Sequence, residues 1–285
     1  MNNHSAILLV VHPERSEALS TARELIKYGK NRFDFVTNSQ VALPGSKHLS
    51  DLKKQNIEIC VVLGGDGTML RAAELVRGTS IPILGLNLGH VGFLAQLIRP
   101  TARDLIERIA SKSYSTEDRL TLGYQVVDGE KVVAHGFALN EVVVESAEPA
   151  MVELFVQVDD RPLSRWGCDG VLIATPTGST AYAFSAGGPV VWPDVKALVL
   201  LPLAAHALYS RPMVISPNST IKIDVESDAA LLSADGLRRV ALQEGNRVSL
   251  TASGESVRLA HLDDSPFTDR LVAKFKLPVE GWRGK

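Results

Sequence analysis

The sequence predicts an α/β domain with a parallel sheet, followed by a β-rich, sandwich-like domain. From residue 5 to about residue 112, short apolar runs alternate with longer helical patterns, which is typical of a parallel sheet covered by helices. From about residue 115, short alternating strands follow one another, with turn signals roughly every 8–12 residues. We therefore expect an α/β domain over residues 1–114 and a β-rich domain over 115–265, with a terminal helix in 266–285 that packs back on the first domain.

In the α/β part, four apolar runs predict strands that alternate with helices. The strand runs are AILLVV (6–11), FDFV (33–36), IEICVVL (57–63) and IPILGLNLG (81–89). Ser16 can cap the first helix, which ends near Gly29, because Ser favours the N-cap position and Gly favours helix ends. The second helix, TMLRAAELVRG, ends at Gly78, and Thr101 caps the third, ARDLIERIAS. The uninterrupted, β-branched IEICVVL run is typical of a strand buried on both faces.

The β-rich part is punctuated by turn signals and contains one expected helix. Turns are predicted at DGE (128–130) and DDRP (159–162), and further strands at STIKIDVES (219–227) and NRVSLTAS (246–253). A helix is expected to interrupt the strands near residues 178–186. At the end of the chain, Ser265-Pro266 opens FTDRLVAKF, a helix with Pro at its first position.

Composition and charge favour a protein that binds small molecules in a reducing compartment. The formal net charge is −2, so the chain lacks the basic footprint expected of a protein that binds nucleic acid or an anionic membrane. The two cysteines, Cys60 and Cys168, cannot form a disulfide framework or a zinc site by themselves. No apolar stretch reaches the ~18 residues of a membrane span, and the N-terminus lacks a secretory pattern. We therefore expect a cytoplasmic protein that has neither nucleic acid nor a membrane as a partner.

A glycine-rich loop follows the third strand and directly precedes the second helix. Its residues are Gly64, Gly65, Asp66, Gly67 and Thr68. A loop in this position places backbone N–H groups and a helix N-terminus at the carboxyl edge of a parallel sheet, where phosphate groups bind. Asp66 would repel a phosphate unless it accepts a proton, binds a metal or holds a hydroxyl group. The alternative is a tight turn in which Asp66 serves only as the N-cap of the helix.

Two further clusters place polar residues next to predicted strands. In GLNLGHVGFL (85–94), glycines follow the next strand and put Asn87 beside the same sheet edge as the glycine-rich loop. Two adjacent strands that both end in glycine loops favour a ligand-binding crevice. In ALNEVVVE (138–145), Asn140 and Glu141 head an alternating strand, although such a pair alone is typical of an exposed strand start.

The richest cluster is GCDGVLIATPTGSTAYAFSAGGP (167–189), in which an apolar strand is followed by several small polar side chains. The hydroxyls of Thr177, Ser179 and Thr180 are typical of a helix-capping loop. Beside Tyr182 they also suit the recognition of a base and a ribose. The chain lacks the Walker A, GxGxxG and HExxH motifs, so any phosphate chemistry uses another design.

Together, the segments GGDGT, LNLGHVGFL, NEVVV and DGVLIATPTGSTAYAFSAGGP resemble the NAD kinases, and they occur in that family's order over roughly residues 60–236. NAD kinases transfer a phosphoryl group to the 2′-hydroxyl of the adenosine ribose of NAD and thereby produce NADP. The resemblance implies an N-terminal α/β domain, a C-terminal β-rich domain and NAD bound between them. The glycine-aspartate loop alone is less specific, because lipid kinases and phosphofructokinases carry similar loops.

The resemblance also implies a role for each candidate residue. Asp66 is implied to act as the general base on the 2′-hydroxyl. The phosphate-donor loop is implied to comprise Gly64, Gly65, Gly67 and Thr68. Asn140 is implied to read the adenine and Glu141 to hold the ribose hydroxyls. The other residues implied to contact NAD are Gly67, Arg71, Asn87, Phe93, Asp169, Thr180, Ala181, Tyr182, Ala183, Phe184 and Ser185. His206 matches a family position near the nicotinamide, although a structural role fits it equally well.

The resemblance also carries expectations for the phosphoryl donor, the metal and the assembly state. The donor is expected to be ATP, inorganic polyphosphate or both, with Mg²⁺ or another divalent cation bound mainly through the donor's phosphates. No acidic cluster in the sequence resembles a dedicated metal cage. A homodimer or homotetramer is implied, and NADH stays open as a second acceptor. The alternatives are a lipid or sugar kinase that shares the Gly-Asp-Gly loop, and a non-catalytic sensor of NAD or NADP.

Overall fold

The structure, a computed structural model, describes residues 4–38, 42–49, 52, 55–88, 92–96, 100–263 and 265–279. The chain divides into two units. The first comprises Met1–Asp118 together with Val257–Lys285, and the second comprises Arg119–Ser256. The second unit is therefore an insertion within the sequence of the first.

The first unit is built on a largely parallel sheet, as its sequence predicts. Within the described residues this sheet has eight strands: β1 (Ala6–Val11), β2 (Asp34–Thr37), β3 (Lys47–His48), β4 (Ile57–Leu63), β5 (Ile83–Leu86), β6 (Ala95–Gln96), β7 (Ser115–Arg119) and β20 (Val257–His261). Their order is β3-β2-β1-β4-β5-β20-β7, with β6 paired to β5. The central strand β1 is parallel to both β2 and β4, and β4 is parallel to β5. The carboxyl ends of β4 and β5 therefore share one edge of the sheet.

Helices cover this sheet because its central strands are apolar on both faces. The helices of the first unit are α1 (Ser16–Gly29), α2 (Asp66–Val76), α3 (Ala102–Ala110) and α5 (Phe267–Phe275). Ile7 and Leu9 of β1 lie in one core with Leu25 of α1 and Leu105 of α3. In the described part of the chain, none of the helices combines the length and apolarity that crossing a bilayer requires.

Three helix starts were predicted by a named capping or first residue, and two of them differ in detail from the structure. Thr101 caps α3 as predicted, and its hydroxyl accepts a hydrogen bond from the Asp104 N–H at 3.2 Å. The expectation that Ser16 caps α1 was wrong, because Arg15 is the N-cap and Ser16 is the first helical residue. Pro266 is the N-cap of α5 rather than its first residue.

Strand β20 explains why the structural division differs from the boundaries expected at 114/115 and 265/266. It lies beside β5, and Leu259 pairs with Ile83 in parallel register. Residues after 256 therefore complete the sheet of the first unit instead of closing the β-rich unit. The terminal helix α5 belongs to the first unit as well, which confirms the prediction that it packs back there.

The second unit consists of two antiparallel sheets, which confirms the predicted β-rich, sandwich-like domain. Its described strands are β8 (Leu122–Asp128), β9 (Lys131–Ala138), β10 (Glu141–Ser146), β11 (Val152–Val158), β12 (Arg161–Cys168), β13 (Gly170–Ala174), β14 (Leu198–Leu203), β15 (Met213–Ile215), β16 (Ile221–Val225), β17 (Ala230–Ala234), β18 (Arg238–Leu242) and β19 (Asn246–Ala252). One sheet has the order β15-β14-β13-β10-β17-β18 and the other β12-β11-β16-β19-β8-β9. Side chains from both sheets form one core around the fully buried Trp166.

The helix expected near residues 178–186 is present as two short pieces. A 3-10 turn covers Thr177–Thr180, and helix α4 covers Tyr182–Ser185. Ala181 separates them, since its dihedral angles of φ −103° and ψ −125° are not helical. The segment leaves β13 at one end of its sheet and carries the polar residues singled out in the sequence.

Candidate active site

The glycine-rich loop joins β4 to α2 at the carboxyl edge of the parallel sheet. Gly65 is the N-cap of α2, and its carbonyl accepts hydrogen bonds from the N–H groups of Thr68 and Met69 at 2.9 and 3.1 Å. A Cβ on Gly64 would lie 2.3 Å from the Thr68 hydroxyl oxygen, so only glycine fits there. No atom lies within 4 Å of where a Cβ on Gly67 would be, so its backbone is open to approach. The first N–H groups of a helix have no partner inside the helix, which leaves them free to bind an anion.

Asp66 is the first residue of α2, so the alternative in which it serves as the N-cap was wrong. Its Oδ1 atom is buried and has no hydrogen-bond partner within the described structure. Gly92 packs directly against this oxygen, because a Cβ at that position would lie 2.4 Å from Oδ1. A buried carboxylate oxygen without a partner is costly to the fold and is rare in native proteins. Asp66 therefore carries an acceptor that no described residue satisfies.

The other candidate residues of the first unit lie around the same sheet edge. Asn87 directly follows β5, whose last residue Leu86 pairs with Leu63 of β4, so Asn87 and the glycine-rich loop share this edge. Phe93 is buried next to Gly92. Arg71 is exposed on α2, one turn after Asp66. Residues 89–91 of the predicted glycine cluster lie outside the described residues.

In the second unit, Asn140 and Glu141 stand at the start of β10 and are both buried. The carboxylate of Asp235 holds the backbone before them, because it accepts hydrogen bonds from the N–H groups of Leu139 at 2.9 Å and Asn140 at 2.7 Å. Arg238 in turn pairs with Asp235 at 2.7 Å. The expectation of an exposed strand start does not describe this pair. Asp235 was missed as a site residue, although an Asp-Gly turn between two strands is a visible signal.

The carboxyl group of Glu141 is held in an unusual environment. Burial and the nearby charge of Asp235 raise its pKa from 4.5 to about 8, whereas a hydrogen bond from the Tyr182 backbone opposes the shift. Its Oε2 atom is buried and lacks a hydrogen-bond partner among the described residues. At neutral pH the group is largely protonated, so it can donate a hydrogen bond as well as accept one.

The 3-10 turn packs against the backbone of Asn140. A Cβ on Gly178 would lie 2.1 Å from the Asn140 carbonyl oxygen, so glycine is required for this contact. The Thr175 hydroxyl donates to the Leu139 carbonyl at 2.5 Å and accepts from the Gly178 N–H at 3.2 Å. The buried Ser179 hydroxyl donates to its own turn and accepts from the Val191 N–H at 2.9 Å, which is a structural role. The structure thus brings residues 175–180 together with Asn140 and Glu141.

The remaining candidates lie on and around α4. Tyr182, Phe184 and Ser185 are exposed, Thr180 and Ala181 are half-buried, and Ala183 is buried. The methyl group of Ala183 packs in an apolar cluster below the helix. Asp169 is exposed between β12 and β13. Burial and the charges of Glu145, Asp169 and Glu141 raise the pKa of Tyr182, which places these acidic groups around one tyrosine. The contacts of all these residues with NAD stay predictions.

The described side chains do not form a metal site by themselves. Among the residues that the structure describes, no group of three or more His, Cys, Asp or Glu side chains could hold a metal ion. Cys60 and Cys168 are free and buried, and burial raises the pKa of both thiols, so neither is a reactive thiolate.

Comparison with known proteins decides the family. The family model described as the ATP-NAD kinase N-terminal domain matches residues 7–114, and that of the ATP-NAD kinase C-terminal domain matches residues 139–262. The chain belongs to the NAD kinase family. The second match includes Asn140 and Glu141, which the alternative of a lipid or sugar kinase leaves without a role. The prediction of an NAD kinase, a phosphotransferase, is confirmed.

Individual members of the NAD kinase family support the same assignment. The NAD kinase of Mycobacterium bovis is 48% identical over 307 aligned residues, which cover 100% of both chains. A solved NAD kinase from Archaeoglobus fulgidus, in complex with ATP, is 25% identical with a TM-score of 0.74 and covers 96% of this chain and 100% of that one. Yeast NADH kinase, solved in complex with NADH, is 20% identical with a TM-score of 0.88. The match covers 100% of this chain and 91% of the yeast chain, and it shows that the two proteins share a fold.

Proposed function

We propose that this NAD kinase transfers the terminal phosphoryl group of ATP, of inorganic polyphosphate or of both to the 2′-hydroxyl of the adenosine ribose of NAD, with Asp66 as the general base. The observation that carries the proposal is the buried Oδ1 of Asp66, which has no partner in the described structure and lies beside the open glycine-rich loop. A hydroxyl group donated by the substrate would satisfy this oxygen.

The chemistry assigned to the loop is mainly positioning. The N–H groups at the start of α2 and the positive end of its dipole would hold the donor's phosphates. The 2′-oxygen then attacks the terminal phosphorus, the bond to the leaving phosphate breaks, and the proton of the hydroxyl passes to the Asp66 carboxylate. In phosphoryl transfer a carboxylate in this role chiefly orients the hydroxyl and accepts its proton late.

The second unit is proposed to recognise the adenosine and the rest of the dinucleotide. Asn140 can donate to and accept from an adenine edge, and a neutral Glu141 can both donate to and accept from ribose hydroxyls. Buried polar groups that lack a partner discriminate strongly in favour of a ligand that supplies one. The unpartnered Oε2 of Glu141 supports this role. Asp169, Tyr182 and their neighbours on α4 are proposed to contact the remaining part of NAD.

The divalent cation is proposed to enter with the donor. Mg²⁺ or a similar ion would be held mainly by the donor's phosphates, since hard divalent cations prefer oxygen ligands and commonly bind through substrate phosphates. The residues that would hold such a complex are those of the loop from Gly64 to Thr68. When bound, the cation supplies neutralisation of the charge on the phosphates.

The proposal extends to the phosphoryl donor, the assembly state and the cellular location. A loop that offers backbone amides recognises a chain of phosphates rather than a nucleoside, which suits both ATP and polyphosphate. The archaeal relative was solved in complex with ATP and the yeast relative with NADH, so ATP as donor and NADH as a further acceptor both merit testing. A homodimer or homotetramer is supported by exposed apolar side chains such as Leu208 and Val214. Cytoplasmic location is supported by the two buried free thiols.

The decisive experiment is a comparison of wild type with Asp66→Asn. Each protein is incubated with NAD, Mg²⁺ and either ATP or polyphosphate, and NADP is measured with an NADP-specific dehydrogenase. Turnover of Asp66→Asn is expected to fall by about 10²- to 10⁴-fold, the usual contribution of general acid–base catalysis, while NAD binding by calorimetry largely survives. Glu74→Gln, on an exposed position of the same helix, is the matched control and should retain wild-type turnover.

Turnover of Asp66→Asn tests the role of this residue, and NADP formation by wild type distinguishes a kinase from a sensor. Unchanged turnover in Asp66→Asn would remove the assignment of this residue as the base. The alternative of a non-catalytic sensor survives only if the wild-type protein binds NAD and yet makes no NADP with either donor.

A further inference from the structure

The terminal helix α5 contacts both the backbone and the side chain of Phe93. Arg270 is 4% exposed, and its Nη1 donates to the Phe93 carbonyl oxygen at 3.1 Å. The ring of Phe93 lies between those of Phe267 and Phe275, with centroid distances of 5.8 and 5.6 Å. Both the backbone and the side chain of Phe93 are therefore held by residues about 180 positions further along the chain.

The second arm of the same guanidinium reaches His261 at the end of β20. The Arg270 Nη2 lies 2.9 Å from His261 Nδ1, and His261 Nε2 lies 3.2 Å from the Glu117 carboxylate. A guanidinium group can only donate, so Nδ1 must be the acceptor and the ring proton must sit on Nε2, facing Glu117. The relay from Glu117 through His261 to Arg270 is complete only when the imidazole is neutral.

Protonation of the ring would reverse the role of Nδ1. A second N–H would then point at the buried guanidinium, and two cations would face each other at hydrogen-bond distance. The charged groups around this pair are Glu117 on β7, Asp263 just after β20, and Arg270 itself. Burial lowers the pKa of Arg270, and the charges of Asp263 and Glu117 oppose that shift. A charged imidazole would weaken this balance and loosen the hold on Phe93.

The grip on Phe93 bears on Asp66 because Gly92 directly precedes Phe93. Gly92 lies against the Asp66 carboxylate so closely that a Cβ would come within 2.4 Å of Oδ1. The Phe93 carbonyl belongs to the peptide unit between Phe93 and Leu94, and Gly92 is joined to the other side of Phe93 by a second planar peptide unit. With the Phe93 ring also held, a shift of the Phe93 backbone displaces Gly92. The Arg270 guanidinium group, through the backbone of Phe93, thus helps to position Gly92, which packs against the proposed base.

We propose that Arg270 is a positioning residue for phosphoryl transfer, which holds Gly92 against Asp66 through the Phe93 backbone and uses Nδ1 of His261 as the second acceptor for its guanidinium group. The inference rests on the proposed role of Asp66 as the base. Arg270 itself has no contact with the reacting groups, so it acts only by keeping the carboxylate in its productive orientation.

The first test replaces the guanidinium group of Arg270 with the ammonium group of lysine. Lysine at position 270 keeps the charge but has one nitrogen instead of a planar pair, so it cannot reproduce the geometry of the two bonds to Phe93 and His261. For Arg270→Lys, kcat is expected to fall about 10- to 100-fold, the usual cost of a misplaced catalytic group, with little change in the KM for ATP. Hydrogen–deuterium exchange of a peptide spanning residues 92–96 should quicken. Arg258→Lys, in an exposed ion pair with Asp118 on neighbouring strands, is the control and should change neither quantity.

The second test keeps or removes the acceptor that faces Arg270. In His261→Asn the side-chain oxygen can replace Nδ1 as the acceptor, whereas the side chain of His261→Leu offers none. His261→Asn is expected to keep most of the wild-type kcat and the wild-type exchange of residues 92–96. In His261→Leu, kcat should fall and exchange should quicken as in Arg270→Lys.

Two results would overturn the inference. Wild-type kcat together with wild-type exchange in Arg270→Lys would show that the guanidinium group does not position the segment. Equal kcat and equal exchange in His261→Asn and His261→Leu would remove the requirement for an acceptor at position 261. If the wild-type protein makes no NADP, the proposed function fails, whereas the exchange data still decide whether Arg270 holds residues 92–96.

Discussion

The Glu141→Gln substitution tests whether a buried carboxyl group makes the free energy of unfolding depend on pH. Burial and the charge of Asp235 raise the pKa of Glu141 from 4.5 to about 8. The folded chain therefore holds this proton more tightly than the unfolded chain does. The stability contributed by this group is fully present below about pH 4.5 and is lost as pH rises through about 8.

The size of the effect follows from the pKa difference. A tenfold change in proton affinity corresponds to about 1.4 kcal/mol. Ionising Glu141 at pH 8 therefore costs the folded state roughly 4 kcal/mol relative to the unfolded chain, whereas at pH 5 the cost is below about 1 kcal/mol. Glutamine has nearly the same shape and no charge. Glu141→Gln is expected to match the wild-type free energy of unfolding near pH 5 and to exceed it by about 2–4 kcal/mol at pH 8.

Urea unfolding at a series of pH values measures this difference. The fully buried Trp166 lies in the core of the second unit, so its fluorescence reports unfolding around Glu141. Glu145→Gln is the matched control, because Glu145 lies on the same strand β10 and is more exposed. A gain in stability that is the same at pH 5 and pH 8, or absent at both, would refute the assignment of a buried, proton-retaining carboxyl group.

Three further substitutions test other contacts described above. Gly92→Ala places a Cβ 2.4 Å from the Asp66 carboxylate and is expected to lower turnover about 10- to 100-fold with the fold retained, and wild-type turnover would contradict the close packing. Gly178→Ala brings a Cβ to 2.1 Å from the Asn140 carbonyl and should destabilise the second unit by at least about 2 kcal/mol, as measured by urea unfolding. Thr101→Ala removes a helix cap and should cost about 1 kcal/mol without affecting turnover, and a loss of activity would speak against a purely local role.

The elements that the sequence predicted well are those set by short-range patterns. The strands over residues 6–11 and 57–63 have the predicted bounds, because a continuous apolar run can only be buried between two helical layers. The Thr101 cap depends on a side chain and an N–H group three residues apart. The Asp-Gly turn at residues 128–130 and the glycine-rich loop after β4 were predicted for a similar reason, since few residues other than glycine adopt the backbone conformations of such turns.

What the sequence could not reveal depends on contacts between distant residues. The pattern of β20 shows a strand but not its partner β5, which lies far earlier in the chain. The hold of Asp235 on the N–H groups of Leu139 and Asn140 joins residues about 95 positions apart, and no periodicity reports such a bond. The preference of serine for helix ends also misplaced the start of α1, because propensity is a weak guide to a single cap.

The insertion of residues 119–256 between two parts of one sheet has a consequence for the order in which the protein is made. Protein synthesis runs from the N-terminus, so the second unit emerges in one piece while the first still lacks strand β20 and helix α5. Until β20 and α5 leave the ribosome, β5 has no neighbour in the place of β20 and Phe93 has no arginine at its carbonyl. A nascent chain would thus be able to complete its second unit before the surroundings of Asp66, which depend on β20 and α5.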